Sequence, residues 1–519
     1  MTESITEGIP PRSWIILGVV AFLVVILNFD FTSVNLALVT ISQATHSDLD
    51  TIQWMLSGYV LMLSAFVIPA GRLSDIYGKR NVFFWGAFFF AGSSFLIGVT
   101  DNIWIAILGR FFQGLGAALF VPTIYAMVFM AFPIAKRGMA IGLVAAAAGL
   151  GLALGPTIGA FIIEVSSWRW IFFINLPLCA IAATVLYSVT EKEQKPETRE
   201  KLDIPGMFLL VVSLIVIMFG LNKSSDWGIA SAPFVGVIAA GAFLIFLFVR
   251  NQQKQKSPLL PLDLLRNKSF LICISLYISF QYIFSTSLFI SGLYMQSILN
   301  YTPAYAGTVF MAMTLSMGAL SPFGGTMTDK WGGRLPITLG MCLLCIASIF
   351  FARLTSYSSV LNMVSVLIPL GVGLGLCISS INAIMLKSVK KDELSTASGA
   401  FCGIGMFANA LSVVLNTEIL IWLGKSNVFA LIQKSGLALS VAQKQIVASL
   451  MSSTHYELSR IAKFSPDILS QLMIYIDESF VGAMSVVMTI TASIAAIAAF
   501  IAARKLKSIK EIQSIAKAA

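Results

Sequence analysis

Fourteen apolar runs follow one another along the chain, and they constrain its fold more than any other feature. A helix needs about 20 apolar residues to cross the hydrocarbon core of a bilayer. Inside that core every backbone polar group must be paired within the protein, which a helix achieves by itself. The sequence therefore predicts an all-α polytopic membrane protein. The predicted spans are residues 14–38, 53–72, 81–100, 103–130, 138–163, 170–189, 204–222, 232–250, 269–292, 303–325, 335–353, 359–386, 396–422 and 479–503.

Composition excludes the main classes of soluble protein. Of the 519 residues, 57% are hydrophobic and 11% are charged, whereas an ordinary soluble domain carries about 25% charged residues. A soluble enzyme, a disordered protein and a nucleic-acid-binding module are therefore not expected. A polytopic membrane enzyme or sensor would need a cluster of catalytic His, Asp or Cys residues, and the sequence suggests none, so we do not expect an enzyme.

A metal or redox centre is not expected either. All six cysteines fall in apolar runs, and the pair Cys342 and Cys345 has no second pair of ligands nearby. Both histidines, His46 and His455, lie in predicted loops. Cysteines in such segments usually serve as small buried side chains.

The basic net charge of +10 is explained by membrane orientation. With the N-terminus in the cytoplasm, 25 of the 34 Lys and Arg residues fall in inside loops, eight fall outside, and Arg110 lies within a span. Cytoplasmic loops of membrane proteins carry such an excess. We therefore expect a multi-pass protein of the inner or plasma membrane of the cell, with both termini cytoplasmic and no nucleic-acid partner.

An internal repeat predicts two halves with the same orientation. Gly71–Arg80 follows the second span and Gly325–Arg334 follows the tenth, and Gly, Asp, Gly and Arg coincide at an offset of 254 residues. Parallel repeats of this kind build transporters that hold substrate near the midplane between the halves. The predicted units are a six-helix half at 1–190, two additional helices at 191–256, and a second six-helix half at 257–519 that includes an external loop at 423–478.

The repeated loop is predicted to act as a conformational latch. Its glycines allow a tight turn, and Asp75 can meet the positive end of a neighbouring helix. The cations are expected to pair with acids across the interface between the halves, and contacts of both kinds would break in another domain arrangement. The alternative is a tight turn that merely carries cytoplasmic charges. The residues assigned to the latch are Gly71, Arg72, Asp75, Gly78, Lys79, Arg80, Asp329 and Arg334.

Two charged residues inside spans are the candidates for proton coupling. An ionised Asp30 in the first span is costly in lipid, so it is expected to face a cavity or to be partly protonated. That makes it a candidate proton carrier, and the alternative is a carboxylate that only bonds a neighbouring helix. Arg110 stays charged and must be paired or hydrogen-bonded. Gln113 lies one turn further along the same face, where it either satisfies Arg110 or lines the cavity.

Five segments resemble the major facilitator superfamily and, within it, the fourteen-helix drug:proton antiporter family. Gly71–Arg80 resembles the superfamily's loop between helices 2 and 3, and Leu108–Gly116 resembles its helix 4 motif of Arg followed by Gln-Gly-x-Gly. Gly151–Gly159 resembles the helix 5 motif that marks antiporters. Asp30–Leu38 and Trp168–Pro177 resemble the fourteen-helix branch in helix 1 and at the start of helix 6. Departures at Val39 and Ala160, where the family usually has Pro and Gly, remove no charged group.

The resemblance implies a major facilitator fold and assigns roles to several residues. It implies that Arg110 takes part in proton transfer. It also implies that the helix 5 stripe seals the interface and favours exchange; its members are Gly151, Gly155, Pro156 and Gly159. The small residues alone predict close packing of the fifth helix on the eighth or tenth, and ordinary tight packing is the alternative.

Substrate contacts are predicted mainly on the ninth span, which opens the second half and lines the cavity in such folds. The resemblance further implies that an acidic residue in the thirteenth span, here Glu418, helps to recognise cationic substrates or couple protons. An interfacial carboxylate is the alternative for Glu418, and an interhelical hydrogen bond is the alternative for Asn35. The candidate substrate-binding residues are Asn35, Gln113, Gln281, Tyr282, Tyr294, Gln296 and Glu418.

These features predict a proton-coupled efflux transporter that exports lipophilic, cationic or amphipathic small molecules by alternating access. The alternative is a dedicated exporter of one metabolite, such as a siderophore, or an importer on the same fold. The chain has no G-x-x-x-x-G-K-[ST] pattern, so the expected energy source is the proton gradient, without a cofactor. The expected partners are a small-molecule substrate and membrane lipid. A periplasmic adaptor protein stays open, as does the choice between a helical lid and a docking site for the loop at 423–478.

Overall fold

The computed structural model describes residues 9–47, 49–190, 202–255, 258–259, 267–435, 440, 443, 447 and 466–506. Every regular element in this part of the chain is helical, and fourteen helices are long and apolar enough to cross a membrane. The predicted fold class is therefore confirmed. The spanning helices are α1 Pro11–Thr45, α2 Leu49–Tyr77, α3 Lys79–Val99, α4 Ile103–Ala131, α5 Arg137–Val165, α6 Asn175–Val189, α7 Ile204–Asn222, α8 Ala232–Gln252, α9 Lys268–Leu293, α10 Pro303–Trp331, α11 Arg334–Phe351, α12 Val360–Lys387, α13 Leu394–Ser435 and α14 Pro466–Lys505.

Local signals in the sequence set many of the helix boundaries. Gly78 reverses the chain between α2 and α3 at φ 90°, and Gly332 does the same between α10 and α11 at φ 79°; glycine adopts these positive φ values without steric cost. Asn102 and Asn267 cap α4 and α9 with their side-chain oxygens. Asp203 caps α7 by accepting the Gly206 N–H at 2.9 Å.

The segment at 423–478 differs from the predicted separate external loop. α13 continues to Ser435 and α14 begins at Pro466, so the described ends of this segment extend the two spans. The extensions pack on each other through a small core that includes Val428, Ile432 and Leu472. Apolar residues at helical spacing on both helices keep them paired beyond the bilayer, which is why the spans run on. Two stretches of this segment are helix-like by sequence, Val441–Met451 and Pro466–Ile476. The first lies, except for residues 443 and 447, outside the described residues, and the second is the start of α14.

The helices pack as two bundles that meet along two seams. α1 packs on α5, and α4 packs on α2 and α3, within the first six helices. In the last six, α12 packs on α10 and α11, and α14 packs on α11 and α13. α5 meets α10 along one seam between the bundles, and α2 meets α13 along the other. We call the side with the α2–α3, α4–α5, α10–α11 and α12–α13 turns the basic face.

The two additional helices lie outside the second seam. α8 packs almost entirely on α7, and α7 touches both α2 and α13. Phe219 of α7 stacks on Trp54 of α2 with ring centroids 6.2 Å apart, and Asn222 Nδ2 donates to Ser57 Oγ at 2.9 Å. The α7–α8 hairpin therefore covers the line where the two bundles meet.

Candidate functional site

A buried polar cluster surrounds Asp30 in the interior of the first bundle. Asp30 and Arg110 are both fully buried. Arg110 Nη1 donates to Asp30 Oδ2 at 2.7 Å, and the amides of Gln113 and Asn175 donate to Asp30 Oδ1 at 3.0 and 2.8 Å. The carboxylate thus has one cationic and two neutral donors, and they come from α4 and α6.

The Arg110 guanidinium holds several elements of the bundle together. Its Nε donates to the Met55 carbonyl of α2 at 2.7 Å, and Nη1 also donates to Gln113 Oε1 at 2.6 Å. The Tyr59 ring lies against the guanidinium, with Cζ 4.4 Å from the ring centroid. A cation over an aromatic face is stabilised by the ring quadrupole. Among the described groups, Arg110 Nη2 meets no hydrogen-bond acceptor.

Ser94 extends the cluster to α3. Its hydroxyl accepts from Gln113 Nε2 at 2.8 Å and from Asn175 Nδ2 at 3.3 Å. The cluster therefore connects α1, α2, α3, α4 and α6. We call Asp30, Arg110, Gln113, Asn175 and Ser94, with the Tyr59 ring, the Asp30 network. A buried ion pair with hydrogen bonds to several helices ties the positions of these helices to one ionisable group.

The structure both matches and corrects the predictions for these residues. The pairing predicted for Arg110 is present. Asp30 does not face a cavity. Arg110 reaches it inside the bundle and stabilises the carboxylate in place of water. Gln113 satisfies Arg110 and is itself fully buried, so it does not line a cavity in this structure.

Sequence reasoning missed Ser94, Asn175 and Tyr59 as members of the network. Asn175 and Ser94 are polar residues in apolar spans, a signal that marks them as hydrogen-bonding positions. Tyr59 and the carbonyl of Met55 give no such signal, because an aromatic ring or a backbone group in a span looks the same whether or not it contacts a charge.

At the basic face, the loop-motif aspartate of the first bundle binds the start of a helix in the second. Asp75 accepts the backbone N–H groups of Ser395 and Thr396 at 3.2 and 2.7 Å, and the Thr396 hydroxyl at 2.8 Å. Gly71 lies directly against the Ser395 backbone, where a Cβ would overlap it. These N–H groups lack partners within α13 and carry its positive dipole end.

The second copy of the motif makes the reciprocal contact. Asp329 of α10 accepts the N–H groups of Gly138 and Met139, both at 2.9 Å, at the start of α5. Lys387 Nζ donates to Asp329 Oδ1 at 2.8 Å. Each aspartate thus caps a helix of the opposite bundle, and together these two contacts close the basic face. The predicted contact of Asp75 with the positive end of a helix is present.

Two cations of the motif make contacts within the first bundle. Lys79 pairs with Asp75 of its own motif at 3.6 Å. Arg80 Nη1 donates to the Thr190 carbonyl at the end of α6 at 2.7 Å and lies over the Tyr187 ring. Both contacts stay within the first bundle instead of crossing the interface, because Gly78 turns α3 back towards α6. Arg72 is buried in α2, and Arg334 begins α11 half-buried.

The helix 5 glycines pack on a different partner from the one predicted. A Cβ at Gly151, Gly155 or Gly159 would overlap α1, at Asn28, Thr32 and Ser33 respectively, and Ser33 Oγ donates to the Gly155 carbonyl at 3.0 Å. The contact with α10 is made by another row, Gly138, Gly142 and Gly149. The two rows lie on different faces of one helix, so the antiporter-motif stripe joins α5 to its own bundle. Pro156 lies within α5 between Gly155 and Gly159.

The predicted substrate-binding residues are dispersed. Half-buried Tyr282 on α9 donates to Asn416 Oδ1 of α13 at 3.0 Å, and Asn416 Nδ2 donates to Thr286 at 2.7 Å. Gln281 lies beside Gly405 of α13, and Glu418 is half-buried on the same helix. Tyr282 and Gln281 therefore lie at the α9–α13 contact.

The other candidates lie elsewhere. Tyr294 is fully buried and its hydroxyl donates to the Thr355 carbonyl at 2.6 Å. In this structure it makes a hydrogen bond within the second bundle, whereas the sequence predicts a substrate contact. Gln296 is exposed in the π-helical turn Tyr294–Ile298, and Asn35 is exposed on α1. In the described part of the chain no three His, Cys, Asp or Glu side chains converge in a way that would hold a metal ion.

Comparison with known proteins agrees with this architecture. The chain is 27% identical over 396 residues to the multidrug resistance protein Stp of Mycobacterium tuberculosis, covering 76% of this chain and 73% of that protein. It is 28% identical over 378 residues to the riboflavin transporter RibZ of Clostridioides difficile, covering 73% and 82%. The crystal structure of the human organic anion transporter MFSD10 matches with a TM-score of 0.59 and 12% identity, over 95% of this chain and 100% of that one.

The family model described as Major Facilitator Superfamily matches residues 20–413. The protein is thus a multi-pass membrane transporter of small molecules and not an enzyme, and several of its relatives are drug-resistance proteins. With two bundles, fourteen spans and these relatives, the chain belongs to the Major Facilitator Superfamily and matches its fourteen-helix drug:proton antiporter family.

Proposed function

We propose that the protein exports lipophilic, cationic or amphipathic small molecules in exchange for protons. The observation that carries this proposal is the fully buried Asp30–Arg110 ion pair inside the first bundle. An ionisable carboxylate in the interior of a membrane protein is costly and is retained mainly for function. The Asp30 network gives proton binding a direct mechanical consequence, because it ties five helices to the charge of one carboxylate.

Protonation of Asp30 changes the forces within the first bundle. The neutral acid no longer compensates the Arg110 cation, which keeps its bonds to Met55 and Gln113. A buried cation without its counter-ion is strongly unfavourable. The bundle then gains free energy by any rearrangement that hydrates or re-pairs Arg110. A ligand shifts such an equilibrium only through unequal affinity for its two states, and the proton meets that condition here.

The caps at the basic face serve as the gate in this proposal. Asp75 and Asp329 hold the bundles together on that side. The charge pattern of the loops supports a cytoplasmic basic face, so the arrangement described here is closed to the cytoplasm in this proposal. Opening to the cytoplasm then requires both caps to break, and substrate enters between the bundles near α9 and α13.

A dedicated exporter of one metabolite is the second candidate. The relative named as a riboflavin transporter favours it, since a chain of similar length and organisation is named for a single compound. A siderophore exporter belongs to the same class. Compound panels in transport assays separate the two candidates, because a multidrug exporter accepts chemically unrelated cations and a dedicated exporter does not. The panel is extended to cells with and without a periplasmic adaptor to test that partner.

The experiment that tests proton coupling uses purified protein in liposomes with an imposed pH gradient. We expect wild-type protein to release protons when lipophilic cations, siderophores or riboflavin are added, and to transport the active compounds against their gradients. Asp30→Asn is expected to fold with reduced stability, because Arg110 loses its counter-ion, and to lose proton-driven transport. Asp101→Asn, which changes an exposed loop carboxylate, is the matched control and is expected to retain it. Full proton-driven transport by a well-folded Asp30→Asn variant would falsify the role of Asp30.

A further inference from the structure

Asn175 carries a buried acceptor that nothing in the described part of the structure uses. The residue is fully buried at the first position of α6. Its Nδ2 donates to Asp30 Oδ1 at 2.8 Å and to Ser94 Oγ at 3.3 Å. Its Oδ1 makes no hydrogen bond. Buried polar atoms are nearly always paired, so an unpaired one next to an ionisable group calls for a physical reason.

The environment of Asp30 suits the ionised form and offers little to the protonated form. Every partner of the two carboxylate oxygens is an N–H donor. A protonated carboxyl group has an O–H that needs an acceptor. Gln113 Oε1 is already occupied by Arg110 Nη1. Asn175 Oδ1 is the free acceptor on a side chain that already touches Asp30 Oδ1.

We infer that Asn175 is a positioning residue whose amide rotates with the protonation state of Asp30. This inference rests on the proposed role of Asp30 as the proton carrier. With Asp30 ionised, Nδ2 donates to Asp30 Oδ1, as in the structure. One proton taken from the aqueous phase forms the O–H bond at Asp30 Oδ1, and the amide turns so that Asn175 Oδ1 accepts it. When that bond breaks, the proton leaves to the opposite phase and the amide turns back.

The local bonding limits the cost of rotation, although the Nδ2 bonds to Asp30 and Ser94 are given up. Rotation breaks no bond at Asn175 Oδ1, because that atom has no partner at the start. In either orientation one atom of the Asn175 amide has no protein partner. The cost of leaving one amide atom unpaired is therefore similar in the two orientations. Ser94 now donates to the Phe90 carbonyl at 2.7 Å, and its hydroxyl can either accept from Nδ2 or donate to Oδ1.

Asn175 links the protonation state of Asp30 to the start of α6. Its amide belongs to the first residue of that helix, whereas Arg110 and Gln113 belong to α4. The ionisable groups facing Asp30 from the packed helices are Arg110 of α4, Tyr59 of α2 and Cys179 of α6. Arg110 keeps its charge in practice, and a phenol and a thiol are ordinarily neutral near pH 7. Among these groups, only Asp30 is expected to change its charge, and Asn175 responds to that change.

The test is Asn175→Leu, a side chain of similar size that neither donates nor accepts. A charge-assisted bond to the ionised form is stronger than a neutral one to the protonated form, so the net loss favours protonation. We expect the midpoint of the pH profile of substrate-driven proton release to move to higher pH, with proton affinity raised about tenfold. Asn382→Leu, at a buried amide that bonds only its own helix, is the matched control and leaves the midpoint unchanged.

Infrared difference spectra between acidic and alkaline buffer provide the second readout. In wild type we expect a band change of the Asn175 amide carbonyl together with the carboxylic acid band of Asp30, and both are absent in Asp30→Asn. In Asn175→Leu the acid band moves to the frequency of a carboxyl group without an acceptor. The wild-type and Asp30→Asn spectra suffice if Asn175→Leu does not fold.

The outcomes distinguish this inference from the proposed function. Wild-type protein without substrate-driven proton release overturns the proton-coupled function itself. Wild-type protein with normal proton release, but with no pH-dependent amide band, overturns the inference and leaves the function intact. A folded Asn175→Leu variant with the wild-type midpoint and acid band overturns it in the same way.

Discussion

At the scale of single residues, the decisive feature is that the charge pair of the first bundle is complete and enclosed. Asp30 and Arg110 are both fully buried, and no other Lys or Arg lies deep within a predicted span. Each ion is tolerable only because the other is present, since the attraction between the two charges offsets desolvation costs that a lone buried ion bears uncompensated. Two residues 80 positions apart in sequence are therefore one functional unit.

Removing one partner of this pair is expected to cost more than removing both. Arg110→Met leaves the Asp30 carboxylate buried without a cation, and we expect a loss of roughly 3–5 kcal/mol in stability. The double variant Asp30→Asn with Arg110→Met is expected to be more stable than Arg110→Met alone, because a neutral amide needs no counter-ion. Thermal unfolding of purified protein in detergent measures both.

The same stability comparison between Arg110→Met and the double variant, repeated at several pH values, provides the control. At acid pH the lone Asp30 of Arg110→Met takes up a proton, so its penalty shrinks, whereas at alkaline pH the penalty is complete. The double variant has no carboxylate at position 30 and lacks this dependence. Equal and additive losses for the two single substitutions at every pH would contradict the view of Asp30 and Arg110 as one unit.

At the scale of elements, α5 is a helix with two close-packed faces. Gly151, Gly155 and Gly159 bring α1 against it, and Gly138 and Gly142 bring α10 against it. Small residues allow such backbone approach in lipid, where packing is the main source of attraction between helices. α5 therefore belongs to the first bundle along one stripe and forms a seam between bundles along the other.

A methyl group on the first stripe tests this arrangement. Gly155→Ala places a Cβ on Thr32 Oγ1, whose bond to the Asn28 carbonyl at 2.9 Å fixes its position. We expect a loss of about 1–3 kcal/mol, the usual cost of overpacking. Gly18→Ala in α1 has open space around the new Cβ and is the matched control. Thermal stability of Gly155→Ala equal to that of Gly18→Ala would show that α1 and α5 are not in close contact there.

At the scale of the whole molecule, each bundle makes the same kind of contact with the other, and these two contacts close the basic face. Asp75 caps α13 and Asp329 caps α5, so the internal repeat appears twice in the interface. The interiors of the bundles differ. Ser94 and Ser348 are related by the repeat offset of 254, but Ser94 accepts two amides whereas Ser348 Oγ is buried without a described partner. The first bundle holds the charge pair, and each bundle contributes one cap to the basic face.

Weakening the caps is expected to open the basic face. Hydrogen bonds to charged groups contribute about 1.5–3 kcal/mol, so Asp75→Asn should raise the population open at this face by about tenfold or more. Asp329→Asn acts in the same direction, and the double variant adds to it. Spin labels at Lys136→Cys and Lys390→Cys, in a background without native cysteines, report the distance between the bundles.

The control for this measurement is Asp392→Asn, which changes an exposed carboxylate on the same face. It is expected to leave the distance distribution unchanged, because Asp392 caps no helix of the first bundle. A distribution for the double variant Asp75→Asn with Asp329→Asn that matches wild type would rule out the caps as the gate.

Much of the fold was predictable because lipid imposes strict rules on sequence. The fourteen spans follow from apolar length alone, and the repeated Gly and Asp residues mark both sharp turns. The ends of α13 and α14 were not predictable, since Val428, Ile432 and Leu472 continue the helices by packing on each other. In the site, Asp30, Arg110 and Gln113 were visible as polar residues in apolar runs, but their partners were not.

The sequence by itself determined the number of spans and which ionisable residues lie within them, because each depends on the residues of one segment and the bilayer around it. It also predicted the duplicated halves, through the repeated motif. The tertiary structure alone decided that Asp30 meets Arg110, Gln113 and Asn175 instead of a cavity. It also decided that the helix 5 stripe faces α1 and that each aspartate caps the opposite bundle. Those facts depend on how helices distant in sequence rotate and approach each other, which is set by the packing of the whole molecule and cannot be read from any one segment.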